Sequence, residues 1–252
     1  MIKLRILILV AFISIQVATG QTRDKVDQSI EWTSINSTIK LHKKVSVYVE
    51  GNFRFAQDLD PLQHQLRTSV DVAIGKKFSA GLGYVYTWNY QYGKQPAKFV
   101  NDEHRFFGQV GFKNSWKRFY FNQRLRLEDR FIQDHSLNSE NVLVGDDYSD
   151  KRYRLRYRTL VNIPINGAKI EKGIWFASVW DEIFFSRGKK VTYHDTDQNR
   201  VYAGLGYQFT KPFSIQAGFI YQMNIKKNGA QQENNYGGLL QITYNLDFTK
   251  SK

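Results

Sequence analysis

Val45-Ser-Val-Tyr-Val-Glu-Gly-Asn-Phe-Arg-Phe55 alternates residue by residue between two kinds of side chain. Val45, Val47, Val49, Gly51, Phe53 and Phe55 fall on one side, and Ser46, Tyr48, Glu50, Asn52 and Arg54 on the other. A period of two becomes two faces only on an extended strand; a helix would scatter both sets. Working outward, the same alternation returns at 62–74, 78–92, 104–112, 119–131, 153–163, 175–185, 201–209, 213–225 and 236–248. With about 30–41, this gives eleven candidate strands. Most are longer than the five or six residues usual in globular sheets, and long enough for a tilted strand to cross a bilayer.

The connections alternate too. Short ones at 42–44, 75–77, 114–118 and 210–212, with 164–172 somewhat longer, are interleaved with long ones at 57–61, 93–101, 133–149, 187–198 and 226–234. Outer-membrane barrels have this asymmetry, with short turns at one rim and long loops at the other. Phe78, Tyr84, Tyr86, Trp88, Tyr90 and Tyr92 share one face of a single segment. Trp32, Trp116, Phe119, Trp175, Tyr193, Tyr207, Phe213, Tyr221, Tyr236, Tyr244 and Phe248 lie near other strand ends. Rings so placed fit two girdles at headgroup level. The expected fold is all-β, a single antiparallel transmembrane β-barrel of 10–12 strands over residues 21–252.

The strand count stays open. If the last strand ends on the short-turn side, the first must start on the long-loop side, whereas single-chain bacterial barrels normally have an even number of strands. Either residues 21–41 hold two short strands, or ten strands close the wall and the N-terminal segment threads differently.

Residues 1–20 differ from the rest. Lys3 and Arg5 precede an apolar run at 6–17, then Ala18-Thr19-Gly20, which predicts a signal peptide cut before Gln21. Without Lys3 and Arg5, 34 basic residues face 23 acidic ones, a formal charge of +11. No later run is apolar enough for a membrane helix. There is no cysteine, so neither disulfides nor a lipid anchor at the cut is expected. The expected location is the bacterial outer membrane.

The polar faces carry Arg54, Arg67, Arg105, Arg124, Arg126, Arg130, Arg152, Arg154, Arg156, Arg158 and Arg200 against Glu50, Asp71, Glu103, Glu128 and Glu182. The densest runs are Arg124-Leu-Arg-Leu-Glu-Asp-Arg130 and Arg152-Tyr-Arg-Leu-Arg-Tyr-Arg158. Two consecutive antiparallel strands should pair them, seven guanidiniums as neighbours in a lumen. Like charges at that spacing need carboxylates, anions or water, and Glu103, Glu128 and Glu182 are the available partners. The surplus of cations predicts a narrow anion-favouring channel or ligand-binding passage. The alternative is a plugged structural or partner-binding barrel whose Arg–carboxylate network conducts nothing. Outer-membrane lipid and small anionic solutes are the expected partners. Nucleic acid is not expected, because the basic faces turn into an enclosed space. No protein partner can be read.

Glu103-His-Arg105, the run from Arg124 to Arg130, the run from Arg152 to Arg158, Asp181-Glu-Ile-Phe184 and Asn199-Arg-Val-Tyr-Ala-Gly-Leu-Gly-Tyr207 occur in order along the chain. Together they resemble an uncharacterised domain-of-unknown-function family of Bacteroidota outer-membrane β-barrel proteins. The resemblance spans nearly the whole mature chain. It implies an exported barrel and supplies no activity or catalytic residues.

Barrel hydrolases provide the competing class. His194-Asp-Thr-Asp197 with Asp146-Asp147 could set an imidazole among acids as a protease does, but solvated loop residues read the same way. A phospholipase would need a serine motif beside His104, and none is present; His104 reads as an interfacial ring beside Glu103 and Arg105. His64 and His135 lack metal-ligand spacing, and Asp146, Asp147 and Asp150 lack an EF-hand pattern. Gly81-Leu-Gly83 and Gly204-Leu-Gly206 read as small residues where a bulky neighbour intrudes on a wall. No catalytic residue, cofactor or metal is expected.

Overall fold

All eleven alternating segments are strands in the computed structural model, which describes residues 23–140, 142–193 and 196–250. They are β1 (Asp24–Lys40), β2 (Val45–Ala56), β3 (Pro61–Ile74), β4 (Phe78–Asn89), β5 (Asn101–Trp116), β6 (Phe119–Leu137), β7 (Leu143–Pro164), β8 (Ile174–Gly188), β9 (Thr196–Gln208), β10 (Phe213–Ile225) and β11 (Gln231–Tyr244). A two-residue β12 (Leu246–Asp247) continues β11 past Asn245. No α-helix occurs among the described residues. The expected signal peptide, 1–20, lies outside them.

Consecutive strands pair antiparallel, and β1 pairs with β11 to close the sheet on itself. That closing pair is parallel, from Asp24 opposite Gln231 to Asn36 opposite Thr243. The expectation of an antiparallel barrel is therefore corrected at the seam. Both ways of evening the count also fail, because residues 24–40 form one strand and the wall has eleven long strands. An odd number of up-and-down strands forces first and last to run the same way, so β1 begins at the long-loop rim and β11 ends at the short-turn rim.

The register fixes the size. From Lys40 it runs through Ser46, Asp71, Gly81, Gln109, Arg126, Arg156, Phe184, Gln198, Asn224 and Glu233, and returns to β1 at Val26, fourteen residues away. With ~3.3 Å per residue and ~4.8 Å between strands, that stagger implies a tilt of about 40° and a wall radius of about 11 Å. Side chains from opposite walls of so narrow a barrel meet on the axis.

Side-chain polarity is inverted relative to a water-soluble barrel. Leu66, Val70, Leu82, Phe106, Val110, Leu125, Leu127, Val179, Leu205 and Phe219 are exposed on the outer wall, Leu82 and Leu127 at 74% and 63%. Glu103, Arg105, Arg126, Glu128, Arg156 and Glu182 are buried inside. Outward aromatics gather at both ends of this apolar band. Near the short turns Phe78 meets Phe112, Trp116 meets Phe119, Trp175 meets Tyr207, and Phe213 meets Phe209 and Tyr244. Toward the long loops His104 packs against Tyr84, Tyr86 and Tyr148, and His64 against Phe53, Phe55 and Tyr90.

Three expected aromatics leave the girdles. Trp32 points inward and is buried, the Tyr92 hydroxyl donates to Glu233 Oε2 at 2.9 Å inside the long-loop end, and Tyr193 lines the cavity there and accepts from Arg23 at 3.0 Å. The expected loop 133–149 is mostly strand, because β6 and β7 run on as a hairpin whose connection is only 138–142.

Candidate functional site

β6 and β7 bring the arginine runs together in the expected register. Arg124 lies opposite Arg158, Arg126 opposite Arg156, Glu128 opposite Arg154, and Arg130 opposite Arg152. All alternate inward because the spacing is two. Lining up like charges would repel, and acids from three other strands separate them. Arg156 Nη1 donates to Glu128 Oε1 at 2.5 Å and its Nη2 to both Glu182 oxygens at 3.0 Å. Arg124 also donates to Glu182, at 2.6 Å. Glu103 receives both Arg105, at 2.6 and 2.8 Å, and Arg130. Arg67 pairs with Glu50, which also accepts from Ser34 at 3.1 Å. Arg126 donates to Gln109 at 2.7 Å and lies 3.7 Å from Glu128.

Toward the long-loop rim, Arg152 pairs with Asp150 at 2.6 Å and Arg154 with Asp197 at 3.2 Å. Neither aspartate is among the lumen carboxylates expected from the sequence: Asp197 falls in the expected connection 187–198, and Asp150 between the expected connection 133–149 and the expected strand 153–163. Asp150 shares the parity of Arg152, which was the available signal. Glu233, a further buried acid not expected in the lumen, binds Lys226, Tyr92 and Asn224.

Aromatic rings occupy the rest of the lumen. Ile30, Gly237, Ile220, Tyr202, Trp180 and Leu160 follow one another around the wall in register. Ile30, Ile220, Tyr202 and Trp180 cluster with Trp32, Ala56, Leu62 and Leu239, and Leu160 and Tyr92 pack against them. Cations lie over rings where the two halves meet: Arg126 over Phe107 at 3.9 Å, Arg156 and Arg200 over Phe184 at 4.7 Å each, and Arg54 over Trp32 at 4.2 Å. The glycines make room for this. A Cβ at Gly206 would stand 2.3 Å from the Phe176 ring, and one at Gly83 the same distance from Phe107. The middle of the lumen is thus filled by ion pairs and rings, and most of the arginines expected to line a passage are paired with carboxylates there.

Above the plug, toward the long loops, lies a polar cavity of about 550 Å³. Its lining holds nine basic residues (Arg54, Lys98, Arg105, Arg130, Arg152, Arg154, Arg200, Lys226 and Lys227) against three acidic ones (Asp134, Asp150 and Asp197). The β4–β5 connection leans across its mouth, where Gln95 donates to Asp24 and the Lys94 amide to Gln28. Of the eleven arginines, Arg54, Arg158 and Arg200 have no carboxylate within 4.0 Å among the described residues.

His104 faces outward with its Nδ1 2.5 Å from the Tyr84 hydroxyl, and His64 is ringed by aromatics. His194 lies outside the described residues, as does the Asp146 side chain. No group of three or more His, Asp or Glu is placed to hold a metal among the described residues.

The molecule is therefore a closed eleven-stranded β-barrel, apolar outside, with an ionic and aromatic filling and a cationic pocket at one end. It belongs to the DUF2490 family, proteins of unknown function, whose model matches residues 31–234. No curated protein matches the chain.

Proposed function

We propose that the protein is a non-enzymatic integral barrel of the bacterial outer membrane, its lumen closed midway, which presents a pocket for small anionic solutes at the long-loop end. The observation that carries this reading is the apolar outer wall bounded by two aromatic girdles. Exposed apolar patches on soluble monomers rarely exceed a few hundred Å². A closed hydrogen-bonded wall with apolar side chains outside is the strand solution to spanning lipid. The short-turn rim would face the periplasm and the long-loop rim the exterior. Lipid is then the partner of the whole outer wall.

The filled lumen favours a binding barrel over a porin. Folded protein should fractionate with outer membranes and migrate differently on a gel before and after boiling, and in planar bilayers it should show no sustained porin-like conductance. Recovery in the soluble fraction without a mobility shift would refute the membrane reading. Steady anion-selective current would restore the channel.

A further inference from the structure

Deepening that reading, on which it rests, we propose that Arg54 and Arg200 form the binding site for the oxyanion group, carboxylate or phosphate, of a small solute entering the long-loop pocket. Most cations of this pocket are already taken: Arg105 and Arg130 by Glu103, Arg152 by Asp150, Arg154 by Asp197, and Lys226 by Glu233. Arg54 and Arg200 are not, although only 5% and 8% of their surface is exposed. Both line the cavity, and both guanidiniums lie over the Trp32 ring, at 4.2 and 5.1 Å.

Donors outnumber acceptors at this point. Arg54 is held from behind by neutral amides, Asn52 at 2.6 Å, Gln63 at 2.5 Å and Gln65 at 3.3 Å. These fix its fork and leave its charge uncancelled. Arg200 lies over the faces of Trp32 and Phe184; its cross-strand neighbour Glu182 is engaged by Arg124 and Arg156, and the Arg200 Nε has no acceptor. The Trp32 indole N–H is also buried without an acceptor. Register puts Gln222 beside Arg200 and Asn235 beside Gln222, and both amide atoms of Asn235 are buried without partners. Burying a cation without a counter-charge is costly, and a charge-assisted pair with an oxyanion removes that cost. Arginine suits the task because its planar fork matches carboxylate and phosphate and stays charged. Elsewhere in the lumen the protein provides a carboxylate for nearly every guanidinium; here a ligand would provide it.

Purified, refolded protein whose barrel state is verified by the boiling-dependent gel shift is titrated calorimetrically with inorganic phosphate, glucuronate and the neutral sugar glucose. At least one oxyanion should bind and glucose should not; the preferred arm tells phosphate from carboxylate. Arg200→Gln and Arg54→Gln should each weaken binding tenfold or more. Arg200→Gln should leave the melting temperature unchanged or raised, since it removes an unpaired buried charge. No oxyanion binding at 10 mM by a verified barrel would overturn the site while sparing the membrane reading. So would unchanged affinity in both variants, or a lowered melting temperature in Arg200→Gln with binding intact. A chain that fails the gel shift refutes the barrel reading instead.

Discussion

Glu103 illustrates what single residues do in this lumen. Its two oxygens receive Arg105 and Arg130, and all three side chains are buried. A neutral amide there would keep the shape and leave two guanidiniums facing each other. Glu103→Gln should therefore cost about 3–5 kcal/mol in reversible unfolding, the usual consequence of breaking a buried pair from one side. The Asp134–Lys190 pair at the long-loop rim is the contrast, with side chains 39% and 41% exposed. Asp134→Ala should cost about 0–1 kcal/mol. The ammonium of Lys190 holds the Asp134 carboxyl below its ordinary value. That small contribution is present above the unfolded-state pKa and lost as pH falls through the folded one; the difference between wild type and Asp134→Ala should vanish in acid and persist at neutral pH.

At the scale of elements, the alternation of two made the strands and their faces legible, because each side chain meets either the outer wall or the lumen. Trp32 was misplaced because its ring type suggested a girdle, whereas its parity, shared with Ser34 and Asn36, pointed inward. The 133–149 segment read as loop because a hairpin that extends past the apolar band has no oily face to alternate with. The parallel seam carries no such signal: pairing direction depends on how many strands close, and alternation is identical either way. Gly237 marks the seam. A Cβ there would stand 1.5 Å from the Ile30 carbonyl oxygen, a clash with backbone that no rotamer relieves. Gly237→Ala should open the β1–β11 closure and abolish the compact, boiling-sensitive gel band, while Gly238→Ala, with nothing within 4 Å of its Cβ, should retain it.

For the whole molecule, position of the arginines was readable but their use was not. Spacing showed which guanidiniums face inward; only the register revealed that acids from β2, β5, β6, β7, β8 and β9 neutralise most of them and leave Arg54, Arg158 and Arg200 without a carboxylate within 4.0 Å. The aromatic filling was equally hidden, since Ile30, Tyr202, Trp180 and Ile220 form a cluster only once eleven strands curve around an axis. The outward wall and the filled interior are one claim about two environments, and the absence of cysteine makes it measurable. Single substitutions Leu82→Cys, Leu127→Cys and Leu205→Cys on the outer wall, with Ser69→Cys and Ser178→Cys inside, are treated with an environment-sensitive thiol fluorophore in lipid vesicles. Outer-wall probes should be quenched by acyl-chain nitroxides and spared by aqueous iodide, and the two inner positions should stay unreacted until the barrel unfolds. Iodide quenching at Leu127→Cys, or ready labelling of Ser178→Cys in the folded protein, would contradict the account.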